Sequence, residues 1–489
     1  MTTSTLSAPD RSAPSAVDRG LDLGLGLLIG GELSPGDLRM DVVNPATGKV
    51  GATCPRASAA QFEAAIAAAK AAFPAWSAST IGQRRALLHE IADVIEANST
   101  ELANLLMLEQ GKPLTDALFE IGGTAAFFRH TADATFEPRT LEDSERRRAQ
   151  LHRRPLGVVA VIVPWNFPML IMAFKVPPAL LTGNTVVIKP AATTPLTTLR
   201  FANLIADVVP AGVVNVVTDA NDLGDILTSH PDVAKVSFTG STATGLKVMT
   251  NAARSLKRVT LELGGNDPGI VLDDADPEAI AQAIYRGAFF NSGQACIALK
   301  RLYVPDAMYD RMCRALVKIA ANTAIGSGVE ASSVSPLQNR TQYERVKDLL
   351  AEARAQGRII GGGDVPEGGG FFIQPTIVDA NRDDSLRVVS EEQFGPILPV
   401  LRYTDIEDAI ERANSGSYGL GASVWSPDIA RAEKVAMQLD AGTVWINQHI
   451  DLAPHIPQAG AKKSGFGVEL GEEGLLEFTQ VQVININKQ

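Results

Sequence analysis

Residues 156–163 read LGVVAVIV and residues 185–189 read TVVIK, two runs in which apolar, mostly β-branched residues follow one another without polar alternation. A strand wetted on one face alternates, whereas an unbroken apolar run suits a strand covered on both faces, as in parallel sheets flanked by helices. VNVV (214–217), AKVSF (234–238) and VTLEL (259–263) repeat the texture, with helical patterns between them. This alternation predicts an α/β fold built on a parallel sheet, whose ligands sit at the carboxyl ends of its strands. IVL, RLYV, PTIV, PILPVL, GASVW and TVWIN form a second series, interleaved with helical stretches such as 341–355, and predict a second α/β domain.

Upstream, SAAQFEAAIAAAKAAFPA (58–75) places Phe62, Ile66, Ala69 and Phe73 at helical spacing behind a Ser58/Gln61 capping box, with Pro74 as the expected stop. Thr80 and Gln83 repeat the start signal before Leu87, Leu88, Ile91, Val94 and Ile95. VVNPATGKV reads as a hairpin before them. The Ser/Thr/Ala/Pro-rich N-terminus lacks a basic region and a long apolar core, so residues 1–27 are expected to be a disordered tail. The final FTQVQVININ alternates and reads as a terminal strand.

The chain has 489 residues, 44 lysines and arginines against 55 acids, and a net charge of −11. That balance, without a dense basic run, argues against nucleic acid as a partner. Cys54, Cys296 and Cys313 stand at no metal-ligand spacing, which fits a reducing, cytoplasmic setting and neither a disulfide framework nor a metal site. VVAVIVPWNFPMLIMAF is broken by two prolines and an asparagine well short of about 20 clean residues, so no membrane span is expected; it reads as a strand running into a turn.

Five places hold residues that could do chemistry. FTGSTATG (238–245) sets Gly240, Ser241 and Gly245 between a strand and a helix, where free backbone N–H groups suit a phosphate, although such glycines also serve a plain tight turn. Lys189 ends its strand, and Trp165 and Asn166 leave theirs in PWNFP; both also read as ordinary strand ends. Glu262 ends an apolar strand before Gly264 and Gly265, and a carboxylate in apolar surroundings is tuned toward base chemistry near neutral pH. Cys296, in NSGQACI, is either a nucleophile or one of the many inert buried thiols.

Taken in order, PWNFP, VVIKP, FTGSTATG, LELGG, GQACI and EEQFGP resemble the NAD(P)-dependent aldehyde dehydrogenase superfamily from about residue 28 to the C-terminus. The resemblance implies a Rossmann-like cofactor domain (28–135 and 156–261), a catalytic α/β domain (262–461) and a small β oligomerisation element (136–155 and 475–489) in a homodimer or homotetramer. It implies Cys296 as nucleophile, Asn166 as oxyanion donor and Glu262 as the base that hydrolyses the thioester, a base that relatives passing the acyl group to coenzyme A do not need. It also implies that NAD or NADP is held by Trp165, Lys189, Ala192, Gly240, Ser241, Gly245, Glu392 and Phe394, and that a small-molecule aldehyde enters a tunnel walled by Phe167, Phe174, Phe290, Ile297 and Gln458.

The chain departs from the family pattern at four points. Ala192 replaces a glutamate that repels a 2′-phosphate, so NADP is expected to be tolerated. Gln458 in PQAG replaces an aromatic, which suggests a wider or more polar tunnel. Phe290 stands where succinic semialdehyde members carry an arginine, which ranks neutral aliphatic or aromatic aldehydes above ω-semialdehydes. Val468 stands where an arginine is common, at a usual subunit contact. The rivals are a semialdehyde dehydrogenase and a non-catalytic binding or structural protein that keeps the fold.

Overall fold

The computed structural model describes residues 21–326 and 334–489; residues 1–20 lie outside the description. The helical N-terminal segment comprises α1 (Ala59–Ser77), α2 (Ile81–Ala97), α3 (Ser99–Gln110) and α4 (Leu114–Asp133). Both expected capping boxes form: Ser58 and Thr80 accept from the backbone N–H of Gln61 and Gln83, whose side chains return the bond to the cap. Each such cap is worth about 1 kcal/mol. The apolar stripe of α2 (Leu87, Leu88, Ile91, Ile95) is buried, and α2 packs on α4.

Two sequence expectations are corrected here. Pro74 does not stop α1, which continues to Ser77 because Pro74 still accepts from Ala78 N–H and the turn below forgoes only one bond. The tail expected over 1–27 ends earlier: Leu21 and Asp22 pair in parallel with Ala52 and Thr53, and Leu25 and Leu27 are buried.

The strands β1 (Val158–Ile162), β2 (Thr185–Lys189), β3 (Val214–Val216), β4 (Val233–Thr239) and β5 (Arg258–Glu262) lie side by side in the order β5-β4-β1-β2-β3 and are parallel. Short antiparallel strands extend the edges: Leu27–Ile29 on β3, with Glu32–Ser34 beyond it, and Gly465–Phe466 on β5. All residues of β1, β2 and β3 are buried, as their unbroken apolar pattern requires. From β1 the chain adds strands on one side through β3 and then crosses to the other for β4, so a crevice opens at the carboxyl ends of β1 and β4. The register sets Lys189, Ile162, Phe238 and Leu261 in one row along that edge, with Thr239 and Glu262 paired one residue beyond it.

Between β1 and β2 the chain forms α5 (Pro168–Leu181), which the sequence reading treats only as a turn. Thirteen of its fourteen residues are buried. A helix covered all round shows no polar face, so periodicity has nothing to report. The crossovers α6 (Leu196–Ile205), α7 (Gly224–Ser229) and α8 (Thr242–Ala253) complete the layers.

Five residues after Glu262 the second sheet begins. Its strands β6 (Asp267–Val271), β7 (Leu299–Pro305), β8 (Thr376–Asn381), β9 (Ile397–Tyr403), β10 (Gly421–Trp425) and β11 (Thr443–Ile446) run parallel in the order β8-β9-β7-β6-β10-β11, with Ile359–Gly361 antiparallel on the β8 edge. The chain therefore leaves the carboxyl edge of the first sheet and enters the amino edge of the second almost at once, and the two edges meet. A third, three-stranded sheet joins Arg139–Asp143, Arg147–Pro155 and the terminal Thr479–Asn487.

Candidate active site

The nucleophile candidate sits on an unusual turn. Asn291, Ser292 and Gly293 have φ of 49°, 57° and 72°, three successive residues in the left-handed region that L-residues seldom enter. Such strain persists only where the surroundings overdetermine it. Here Gln110 Nε2 donates to Asn291 Oδ1 (3.3 Å), Ser292 Oγ lies 2.8 Å from both the carbonyl oxygen and Oγ of Ser335, and Gln294 binds the Asn291 and Pro336 carbonyls and Gln338 N–H. An added Cβ on Gly293 would lie 2.3 Å from the Gly395 carbonyl oxygen. The turn delivers Cys296 half-buried, while Cys54 and Cys313 are buried.

Asn166 arrives from the end of β1. Its Nδ2 donates to the Gln294 carbonyl at 3.0 Å, and its own carbonyl accepts from Lys112 Nζ at 3.0 Å and Asn291 Nδ2 at 3.3 Å. Lys112 is in turn paired with buried Glu120, whose second oxygen accepts from Met169 N–H (2.9 Å) at the start of α5. A polar brace thus ties α4, α5 and the Cys296 turn to one amide. The sequence reading did not find Lys112, Glu120, Gln110 or Gln294, because nothing local in their stretches marks them.

Glu262 ends β5, and its Oε1 is buried without a hydrogen-bond partner in the protein. Burial pushes its carboxyl well above the usual range, the nearby Glu469 carboxylate adds to that, and Lys175 opposes it. Lys175 and Glu469, both buried, form an ion pair beside it, and Lys175 Nζ also reaches Ser237 Oγ at 3.2 Å. The Cys296 thiol is pushed up to about 12 by burial; Lys300 lowers it, and Glu262, Asp267 and Glu392 raise it further.

The cofactor candidates line the carboxyl edge of the first sheet. Gly240 N–H donates to the Glu262 carbonyl, and Ser241 caps α8 by accepting from Thr244 N–H. A Cβ on Gly240 would lie 2.6 Å from the Phe238 ring, and one on Gly245 2.5 Å from Leu263, so both glycines are required by close approach. The α8 N-terminus fits a pyrophosphate. Lys189 Nζ lies 2.6 Å from Asp219 Oδ1 on the segment leaving β3, and Ala192 stands in the turn after β2. Asp219 is a further residue that the sequence reading did not single out. Glu392 Oε1 accepts from Gly265 N–H at 2.8 Å, and a Cβ on Gly264 would lie 2.5 Å from its other oxygen. Trp165 and Phe394 meet edge to face at 5.2 Å. The residues present suit a dinucleotide: a helix start at Ser241, with Lys189 and Glu392 as polar groups to either side.

The tunnel candidates divide. Phe167 and Phe290 stack at 5.7 Å and 16°, with Lys112 Nζ 3.9 Å from the Phe167 ring centre. Ile297 packs with Leu420 and Trp445, against Cys296. Phe174 pairs instead with Phe127 (4.9 Å) and lines a cavity of about 320 Å³ with His130, Pro454 and His455, which Cys296 does not line. Gln458 is buried opposite Glu469 on the short Gln458–Ala459 and Val468–Glu469 ladder.

Comparison with known proteins agrees along nearly the whole length. Residues 34–484 match the family model described as "Aldehyde dehydrogenase family". Phenylacetaldehyde dehydrogenase of Pseudomonas fluorescens is 39% identical over 500 residues, covering 99% of each chain. Retinaldehyde dehydrogenase 3 of Rattus norvegicus is 39% identical over 86% of this chain and 84% of its own. Among solved structures, a betaine aldehyde dehydrogenase point mutant from Staphylococcus aureus, in complex with NAD+ and with a BME-modified cysteine, superposes with a TM-score of 0.91 at 34% identity, covering 95% of this chain and 97% of that one. On this match and this edge-to-edge arrangement of strand ends, the chain belongs to the aldehyde dehydrogenase family, NAD(P)-dependent enzymes that oxidise aldehydes to carboxylic acids.

Proposed function

We propose that Cys296, Asn166 and Glu262 carry the reaction and that the substrate is a neutral aliphatic or aromatic aldehyde. The observation that carries this is the hold of Asn166 Nδ2 on the Gln294 carbonyl at 3.0 Å, which keeps the amide donor beside a half-buried thiol on a strained turn. The Cys296 thiolate adds to the aldehyde carbon, and the carbonyl π electrons move onto oxygen. Asn166 Nδ2 and the Cys296 N–H stabilise that oxyanion, each donor by about 3 kcal/mol. With a nicotinamide held by these residues, the hemithioacetal would lose its hydride to that ring and become a thioester. Glu262 then takes a proton from water as its oxygen attacks the thioester, the C–S bond breaks, and the acid and thiolate leave. Its partnerless Oε1 supports this role.

In this reading, residues 28–135 and 156–261 bind the cofactor and 262–461 hold the nucleophile. Lys189 and Glu392 hold the two ribose units, Ser241 and Trp165 the pyrophosphate, and Phe394 flanks the nicotinamide. Ala192 leaves out a carboxylate that would repel a 2′-phosphate, but Asp219, paired with Lys189, offsets the positive charge such a phosphate would need. NADP is therefore accepted and NAD preferred.

For the substrate, the Phe167–Phe290 stack offers apolar faces, and the cation against it, Lys112, is buried and already paired with Glu120. The relatives named phenylacetaldehyde dehydrogenase and retinaldehyde dehydrogenase 3 fit an apolar aldehyde. The third sheet exposes Val481 and Val483 on one face and Ile484 and Ile486 on the other, more apolar surface than a free sheet retains, which supports a homodimer or homotetramer. No described helix is long and apolar enough to cross a membrane.

The test is formation of reduced nicotinamide, without coenzyme A, across aliphatic, aromatic and ω-carboxylated aldehydes, with Cys296→Ala as control. Turnover with the neutral classes that vanishes in the control is expected. Faster turnover of ω-carboxylated aldehydes would favour the semialdehyde rival, and none with any pair the non-catalytic one.

A further inference from the structure

Lys300 is the second residue of β7 and is 2% exposed. Its Nζ donates to the carbonyls of Ala295 (2.9 Å), Cys296 (2.6 Å) and Ala298 (3.3 Å), which uses all three protons of an ammonium. Two of these carbonyls flank the Cys296 backbone on either side. A buried ammonium is costly, and a scaffold that needed only to close this turn would have no reason to keep one.

The charged groups facing Cys296 come from several elements. Glu262 ends β5, Asp267 begins β6, and Glu392 precedes β9; all three are acids that oppose a thiolate, and Lys300 opposes them. Both carboxylate oxygens of Asp267 are buried without a hydrogen-bond partner among side chains or backbone, although Gly421 N–H lies near enough to favour the charge. His449, fully buried, sets its Nε2 3.8 Å from Asp267 Oδ2, and burial holds the ring neutral, at about 3. Among the described residues that face the thiol, the cation is Lys300.

We propose that Lys300 is a positioning residue of the reaction, fastening the Cys296 peptide through three carbonyls and supplying, from behind, the positive charge that favours the thiolate over the thiol. The inference rests on Cys296 being the nucleophile, and it makes Asp267 and Lys300 a pair with opposite effects on that sulfur.

The experiment measures the thiolate fraction of Cys296 by ultraviolet thiolate absorbance, as the difference from Cys296→Ala, together with its iodoacetamide alkylation rate, across about pH 6–11. Lys300→Met is expected to slow alkylation at each pH by about tenfold or more, the equivalent of one unit of thiol acidity. Lys300→Arg, which keeps the charge, recovers part of the rate, and Asp267→Asn accelerates it. If Lys300→Met loses reactivity with an unchanged thiolate fraction, the lysine is only structural and the proposal falls. Should that variant not fold, Asp267→Asn decides: a raised thiolate fraction supports the proposal, and an unchanged or lowered one overturns it. Undiminished turnover in Cys296→Ala would instead remove the nucleophile assignment itself, a separate outcome.

Discussion

The two sheet edges that meet at Cys296 are built in different ways. Along the carboxyl edge of the first sheet, each functional position is the end of one buried strand: Asn166 after β1, Lys189 at the end of β2, Asp219 after β3, Gly240 and Ser241 after β4, and Glu262 closing β5. Strand and turn geometry alone place these residues, and the register aligns them. Along the amino edge of the second sheet, Asp267, Cys296, Lys300, Glu392 and His449 come from strand starts and long loops. The Cys296 turn, Lys300 and Glu392 are held by a lattice of side-chain and backbone bonds reaching as far as Gln110 and Gln338, into which the Asp267 carboxylate and the His449 ring are packed without hydrogen bonds of their own. An edge made of strand ends places each residue by its own strand, and coupling enters it where Lys189 and Asp219 pair. A buried lattice couples its members, because each unpaired charge or amide in low dielectric is a penalty for all.

Three substitutions put that contrast under strain. The largest effect is expected at the strand end of β5, where Glu262→Gln should lower kcat by about 10²–10³-fold while leaving one rapid equivalent of reduced nicotinamide per site. Because burial raises the Glu262 carboxyl, the base is lost as pH falls through that raised value. Wild-type kcat should therefore decline on the acid side along a limb that Glu262→Gln lacks; a variant that keeps this limb would show that another group is the base. Next comes Lys300→Met on the lattice side, whose tenfold slowing of thiol chemistry should be accompanied by a drop in Tm, as coupling demands. The smallest effect on turnover belongs to Asp219→Ala, expected to raise kcat/KM for NADP relative to NAD by about tenfold, or roughly 1.4 kcal/mol, with a fall in Tm because buried Lys189 loses its partner. An unchanged cofactor ratio, checked by equilibrium binding of each dinucleotide, would return the preference to Ala192 alone.

The carboxyl edge was legible in the sequence and the amino edge mostly was not. LGVVAVIV and TVVIK announce buried strands because burial on both faces removes polar alternation, and Ser58, Thr80 and Ser241 announce helix starts because a cap is a local bond. Glu392 was reached only through the family resemblance, which also chose between nucleophile and inert thiol for Cys296. α5 went unseen for the opposite reason to the strands: fully buried, it offers no face to contrast.

What the sequence determined by itself was therefore every feature that depends on neighbours within a few residues: the strand runs, the caps, the glycine turns and the order of motifs. Only the tertiary structure decided that Asp219 pairs with Lys189, that Lys112 braces Asn166, and that Lys300 and Asp267 stand behind Cys296. Those choices depend on burial. A lysine or aspartate reads the same in a sequence whether it lies in water or in a dry interior, and its chemistry comes from that difference.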